Sequence, residues 1–267
     1  MKKKIALITG GYSGEAVISY KSANNIEKNL DTDKWETYKI DINPEGWNYL
    51  APGGEKTPVD KNDFSITIGG QKINFDAVLV GLHGTPGEDG KLQGYFDTLG
   101  IPYTSCDTAT SALTFNKRYT VAVAAFAGIH VAKSVHLFKH IPVTVESILA
   151  TLQLPVFVKP NNGGSSIGMS KVKEPEALQA ALDKAFAEDD QVLVEEFIKG
   201  RELTIGVFKS NGQVIALPIT EIIAKNEFFD YEAKYEGASE EITPAQCDES
   251  IAEKVRDAAK KAYAVFN

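Results

Sequence analysis

Short apolar runs alternate with helical segments along the first hundred residues. "KIALIT" (4–9) and "DAVLVGLHG" (76–84) have the length and unbroken apolar character of buried strands. A helix is predicted from about 15 to 30, and further strands are predicted at 35–42 and 101–106. Strands that alternate with helices form βαβ units, whose strands are parallel. The sequence therefore predicts the α/β class, with a parallel sheet in the N-terminal part.

The remaining segments are less regular. Residues 44–63 are rich in Pro and Gly and are predicted to be a loop, whereas 108–126 are predicted to form one helix. Asn211-Gly212 is a strong hairpin signal, and it joins two strands over 202–222. Pattern changes near 105–115 and 202–210 give three predicted domains, 1–110, 111–203 and 204–267.

Composition excludes some classes of function. The chain of 267 residues carries a net charge of −8, which argues against a general nucleic-acid-binding protein. Its two cysteines, Cys106 and Cys247, lie far apart and have no metal-type spacing, as in a reducing compartment. The apolar run after the first lysines is too short for a signal peptide or a membrane span. We therefore expect a cytoplasmic protein that binds neither membrane nor nucleic acid.

The stretch "KPNNGGSSIGMSKV" (159–172) places two glycines and two serines behind Lys159, at the end of the apolar run "LPVFV". Glycine lets backbone N–H groups approach a ligand closely, and serine adds donors. Successive N–H groups in such a loop form an anion-binding concavity, and a lysine ammonium suits polyphosphate. The stretch taken alone fits a phosphate-binding lid or a flexible hairpin turn.

Five other places carry candidate site residues. Glu15 and His83 follow buried strands, at the sheet edge where α/β proteins bind ligands, although a first-turn acid or a structural histidine explains each one alone. Lys117 lies in or near a helix. Glu195-Glu196 ends a strand whose backbone could read an adenine edge, or simply forms a surface edge. The aromatic stretch 228–239 reads as a lid.

In chain order, the motifs "GGYSGEAVIS", "LHGTPGEDGKLQGYFDTLGIPYT", "FNK", "VFVKPNNGGSSIGMSKV", "VLVEEFIKGREL" and "FFDYEAKY" span the whole sequence. Together they resemble the D-alanine–D-alanine ligases of the ATP-grasp superfamily. The resemblance implies an ATP-grasp fold with an N-terminal parallel-sheet domain. It also implies ATP-dependent joining of two D-alanines through an acyl phosphate, for peptidoglycan precursor synthesis and cell wall biogenesis, by an enzyme that is usually a homodimer.

The resemblance also implies roles for individual residues. Glu15 and His83 place the first D-alanine, and Ser165 links Glu15 to Tyr235 when the site closes, so that Glu15, Ser165 and Tyr235 form the catalytic set. The implied ATP-binding residues are Lys117, Lys159, Ser165, Ser166, Glu195, Glu196, Phe197, Ile198, Glu202, Phe228 and Lys234. Tyr235 after Lys234 resembles the dipeptide-forming type. The alternatives are a D-alanine–D-lactate ligase and a nucleotide-binding module without ligase activity.

The chain departs from the family's pattern near its end. The family's Arg-x-Asp strand and Glu-x-Asn segment supply an oxyanion-stabilising arginine and the Mg²⁺ ligands, and no counterpart precedes Asn267. The resemblance thus implies that no metal ligand lies within the 267 residues, that the Mg²⁺ ligands lie beyond them, and that these residues alone do not turn over. A fragment and a degenerate relative both fit, and the apolar stripe from Ile251 to Phe266 favours a fragment.

Overall fold

The computed structural model describes residues 2–224 and 239–266, which divide between two compact units, Met1–Phe115 and Asn116–Asn267. The three predicted domains, with boundaries at 110 and 203, stay a prediction. Among the described residues, no helix combines the length and apolarity that a membrane span requires.

The first unit contains a seven-stranded sheet with the order β6-β5-β4-β3-β2-β1-β7. Its strands are β1 (Lys3–Gly10), β2 (Trp35–Asn43), β3 (Gly46–Leu50), β4 (Lys56–Asp60), β5 (Ser65–Ile68), β6 (Gln71–Ile73) and β7 (Ala77–Val80). Its helices are α1 (Ala16–Asn29), α2 (Lys91–Leu99) and α3 (Thr108–Phe115). Strand β1 pairs in parallel with both β2 and β7, while β3 to β6 extend the sheet in antiparallel fashion.

The apolar character of β1 has a direct structural cause. Ala6, Leu7 and Ile8 are all fully buried, because β1 lies inside the sheet between β2 and β7 and both of its faces are covered. An aromatic cluster around Phe64 and Phe96, whose ring centroids are 4.9 Å apart, fills one side of the core. The sheet places the carboxyl ends of β1 and β7 side by side.

Three sequence predictions are wrong in this part of the chain. The expected loop 44–63 contains β3 and β4, which turn at Gly53-Gly54. The expected strand 101–106 reduces to one bridge, between Val78 and Tyr103. The expected helix 108–126 is broken at Asn116, whose extended backbone (φ −90°, ψ 106°) and capping side chain begin a new helix.

The second unit contains a four-stranded antiparallel sheet with the order β10-β9-β11-β8 and a three-stranded antiparallel sheet with the order β12-β13-β14. The strands are β8 (Ser134–Phe138), β9 (Val156–Pro160), β10 (Ser170–Val172), β11 (Gln191–Glu196), β12 (Glu202–Ser210), β13 (Gln213–Ala224) and β14 (Ser239–Ile242). The helices are α4 (Lys117–Phe126), α5 (Val145–Leu149), α6 (Leu178–Glu188), preceded by a 3-10 turn (Pro175–Ala177), and α7 (Glu249–Phe266).

Strand alternation gives the four-stranded sheet two different faces. One face carries side chains such as Val158 and Val194, which are fully buried with residues of α6. The other face carries Phe157, Lys159 and Glu195, because Glu195 pairs in register with Phe157 and Lys159 follows two residues later. The predicted α/β class and the parallel sheet in the N-terminal part are confirmed.

Candidate functional site

The Gly-Ser loop between β9 and β10 has an unusual backbone. Gly163 and Gly168 have positive φ, as glycine readily allows, but Ser165 (φ 54°) and Ser166 (φ 57°) also lie in the left-handed region. Non-glycine residues rarely adopt this conformation, and such strain concentrates at ligand clamps and switch regions. The backbone of this loop therefore points to a binding role.

The loop forms one wall of a cavity of about 260 Å³ in the second unit. Lys117 and Lys159 both line it, and Glu202 lies at the start of β12. The other lining residues are Pro160, Gly163, Gly164, Ser165, Ser166, Ile167 and Met169. Two ammonium groups beside a glycine-rich loop suit a polyphosphate anion.

Lys117 reaches the cavity because it is the first residue of α4. Its Nζ donates to the backbone carbonyl of Gly163 at 2.7 Å, within the Gly-Ser loop itself. The lysine is therefore half-buried and held against the loop, rather than being part of a solvated helix surface.

Lys159 leaves the polar face of β9 and forms an ion pair with Glu195 on the adjacent strand β11. The side chains of Lys159 and Glu195 are 22% and 13% exposed, respectively. A lysine ammonium has three N–H donors, and this pair does not use all of them. Lys159 can therefore contact a phosphate while it remains paired with Glu195.

The segment predicted to contact adenine, here called the strip, runs from Glu195 to Ile198. Glu196 accepts a hydrogen bond from the Lys133 backbone N–H at its Oε1 (2.7 Å) and donates its own N–H to the Lys133 carbonyl (2.9 Å). Phe197 donates its N–H to the Pro155 carbonyl at 3.1 Å, and the Lys171 ammonium lies 3.9 Å from the centre of its ring. Ile198 is 65% exposed. The side chain of Glu196 thus holds the strip in place.

Glu15, His83 and Glu88 belong to the first unit, at the carboxyl end of its parallel strands. Glu15 begins α1 and is buried, and a Cβ added to Gly84 would lie 2.6 Å from its Oε2. His83 Nε2 is 2.9 Å from Ser22 Oγ, and the backbone N–H of His83 donates to Ser19 Oγ at 2.8 Å. The contact with Ser22 fixes the orientation of the imidazole, and the bond to Ser19 fixes the backbone of His83.

Glu88 is a candidate that the predicted site lacks. Its Oε2 accepts the Gly84 N–H at 2.6 Å, and desolvation of its carboxyl group raises the pKa above the ordinary value, although the residue as a whole is exposed. It lines a cavity of about 370 Å³ together with His83, Ser22, Thr104 and Ser105. The acid-rich "GEDG" stretch was the available signal, since acids in a Gly-rich loop after a buried strand fall at the ligand-binding edge.

Several predicted residues stay untested. Phe228, Lys234 and Tyr235 lie outside the described residues. Ser165 and Glu15 belong to different units, so the expected link through Tyr235 stays a prediction. The structure brings Lys117, Lys159, Ser165, Ser166 and Glu202 to one cavity. Their roles toward a ligand stay predictions as well.

Comparisons with known proteins agree over nearly the whole chain. The family described as D-ala D-ala ligase N-terminus matches residues 4–106, and the family described as D-ala D-ala ligase C-terminus matches residues 115–267. The D-alanine–D-alanine ligase of Parabacteroides distasonis is 46% identical over 266 residues, which cover 100% of this chain and 81% of that protein.

Solved structures extend the similarity to the fold. The VanG D-Ala:D-Ser ligase from Enterococcus faecalis has a TM-score of 0.81 and 32% identity, over 100% of this chain and 83% of that one. The D-alanine–D-alanine ligase from Bacillus anthracis complexed with ATP has a TM-score of 0.74 and 27% identity, over 99% and 78% of the two chains. The predicted ATP-grasp fold is confirmed. The chain belongs to the D-alanine–D-alanine ligase family.

Proposed function

We propose that the protein joins two D-alanine molecules into D-alanyl-D-alanine at the expense of ATP, through an acyl phosphate, and so supplies a precursor of peptidoglycan. One observation carries this proposal: Lys117 and Lys159 meet the Gly-Ser loop in a single cavity, within a chain of this family. The proposal places the enzyme in the cytoplasm as a homodimer, with D-alanine and ATP as its small-molecule partners.

The charge of the cavity supports the nucleotide part of the proposal. A carboxylate is a poor electrophile, and transfer of the terminal phosphoryl group of ATP gives it a leaving group. Lys117 and Lys159 would hold the phosphates and offset their negative charge, while the N–H groups of the loop surround them. Glu202 would bind the ribose, and the Glu195–Ile198 strip would bind the adenine.

The first unit supports the amino-acid part. Glu15 offers a buried carboxylate for the ammonium group of the first D-alanine. A charge-assisted hydrogen bond to this carboxylate would favour a cationic group at this place. His83, held by Ser19 and Ser22, would orient the same substrate. These residues position the reacting groups rather than form bonds with them.

Mg²⁺ is expected to accompany ATP in this family. Among residues 2–224 and 239–266, no three His, Cys, Asp or Glu side chains are grouped so that they could hold a metal ion. The described residues therefore offer no metal site built from protein side chains alone, whereas Mg²⁺ beside a nucleotide usually takes several of its ligands from phosphates and water.

The test is product analysis with the full-length protein, ATP and Mg²⁺. D-alanine, D-lactate and D-serine are offered together at neutral pH, and the products are separated by mass. We expect D-alanine-dependent phosphate release with D-alanyl-D-alanine as the main product. A majority of D-alanyl-D-lactate or D-alanyl-D-serine would reassign the second substrate. Nucleotide binding without phosphate release would favour a binding module instead.

A further inference from the structure

Asn161, which follows directly after β9, is absent from the predicted site but fully buried beneath it. Its backbone N–H donates to the Gln191 carbonyl at 2.9 Å, which extends the pairing of β9 with β11 by one residue. Its carbonyl accepts the Lys117 N–H at 3.0 Å, and its side-chain Oδ1 accepts the Arg118 N–H at 2.9 Å. Asn161 therefore joins the end of β9 to the start of α4.

The first N–H groups of a helix have no acceptor within the helix. In α4, the backbone N–H groups of Lys117, Arg118 and Tyr119 all find acceptors outside it. Asn116 caps the helix and accepts the Tyr119 N–H at 3.1 Å with its own side chain. Asn161 accepts the other two, from Lys117 and Arg118. These bonds also fix which side-chain atom of Asn161 is the oxygen, because only an acceptor suits the Arg118 N–H.

We propose that Asn161 is a positioning residue that sets Lys117 at its place relative to Lys159. Lys159 lies two residues before Asn161 on the same chain segment, and the loop carbonyl that Lys117 Nζ contacts, Gly163 O, lies two residues after it. Helix α4, which carries Lys117, is docked on Asn161 itself. This inference rests on the proposed function, in which both lysines bind the phosphates of ATP.

A second set of bonds keeps Asn161 from moving. Asp189 accepts both the backbone N–H and the side-chain amide of Asn162 at Oδ2, each at 2.7 Å, and it accepts the Gln191 N–H at Oδ1 (2.9 Å). Charge-assisted bonds of this length are among the stronger hydrogen bonds in proteins. The base of the loop is therefore fixed through Asn162, and the positive-φ residues begin only at Gly163.

The test is a double-mutant cycle read by the binding of a fluorescent ATP analogue, without turnover. Asn161→Ala removes the acceptor for the Arg118 N–H and should weaken nucleotide affinity about three- to tenfold. Lys117→Ala removes the ammonium that Asn161 positions. In that background, Asn161→Ala should change the affinity by less than about twofold, because residues that act through one group are not additive.

Thr144→Ala is the matched control, since it removes a helix-cap acceptor for the Ser147 N–H elsewhere in the same unit. It should lower the melting temperature and leave nucleotide affinity unchanged. If Asn161→Ala does not fold, Asn161→Ser replaces it, because the shorter side chain withdraws the acceptor but keeps a polar group in the buried site.

The two proposals fail in different ways. An unmodified protein that binds no nucleotide overturns the proposed function and this inference with it. An unmodified protein that binds nucleotide, with the same affinity after Asn161→Ala, overturns the inference alone. Equal losses from Asn161→Ala in both backgrounds overturn it too, because they show that Asn161 does not act through Lys117.

Discussion

Replacing Lys159 by methionine separates its two roles, in stability and in nucleotide binding. The variant removes the cation and leaves the Glu195 carboxylate, which is 13% exposed, without its partner. Exposed ion pairs contribute about 0–1 kcal/mol, whereas breaking a buried pair costs about 3–5 kcal/mol. The partial exposure of both side chains places Lys159→Met between these limits, at about 2 kcal/mol. For a unit of this size, that lowers the melting temperature by about 4–8 °C.

Lys159→Met should lower nucleotide affinity by more than its effect on stability alone would explain. A lysine–phosphate contact is a charge-assisted hydrogen bond with a net contribution of about 1.5–3 kcal/mol, so Lys159→Met should weaken ATP binding about 10- to 100-fold. The double variant Lys159→Met with Glu195→Gln should recover most of the melting temperature, because no unpaired charge remains. Its nucleotide affinity should stay low, because the ammonium is still absent.

The assay combines thermal unfolding with titration of a fluorescent ATP analogue. Lys139→Met is the matched control, because Lys139 also forms an ion pair, with Asp190, but lies at the surface, with side chains 56% and 82% exposed. Lys139→Met should change neither the melting temperature nor the nucleotide affinity by much. Wild-type nucleotide affinity in Lys159→Met, or recovery of affinity in the double variant, would show that Lys159 is a structural residue only.

Two further predictions concern other parts of the chain. Gly168→Ala should destabilise the protein by at least about 1 kcal/mol in thermal unfolding, because Gly168 has φ +72° and an added Cβ would lie 2.8 Å from both Glu188 and Pro160. Gly200→Ala is the control, because the space around Gly200 is open, and equal destabilisation by the two variants would contradict this explanation. Partial desolvation raises the pKa of Glu88 above its ordinary value of 4.5, so the folded protein binds this proton more tightly than the unfolded chain does. The resulting stabilisation is lost as pH rises from about 4.5 through the raised pKa. Glu88→Gln should therefore gain stability relative to the unmodified protein between about pH 4.5 and 7 in chemical denaturation, whereas parallel pH profiles would show that Glu88 does not titrate in this range.

Local patterns predicted the elements that depend on local chemistry. The buried strands β1, β9 and β11 follow from continuous apolar runs, and the hairpin between β12 and β13 follows from Asn211-Gly212, both of which have positive φ. The break of the long helix at Asn116 was also available from the sequence, because asparagine is a preferred N-cap. The apolar pattern on both sides of it concealed the break.

Other elements depend on partners that the sequence does not show. Strand β4 contains Pro58, and β3 and β4 flank a Gly-Gly turn, so the local signals favour a loop. The two segments become strands only by pairing with each other and with β2 and β5. Residues 101–106 have strand composition, but only Tyr103 finds a partner in the sheet. Asn161 in the candidate site likewise depends on distant residues, because it contacts Lys117 and Arg118, more than 40 residues earlier in the chain.

The contacts of the two lysines have a consequence for how the loop could move. Lys159 is paired with Glu195 on the neighbouring strand of the sheet, whereas Lys117 donates to Gly163 O at the point where the positive-φ backbone begins. Any displacement of the loop that moves Gly163 must therefore carry the Lys117 ammonium with it or break that bond. A displacement of the base of the loop would also have to break the two hydrogen bonds that Asn162 donates to Asp189. A displacement confined to the Gly-Ser loop would therefore shift the Lys117 ammonium or release it from Gly163, without breaking the ion pair of Lys159 with Glu195.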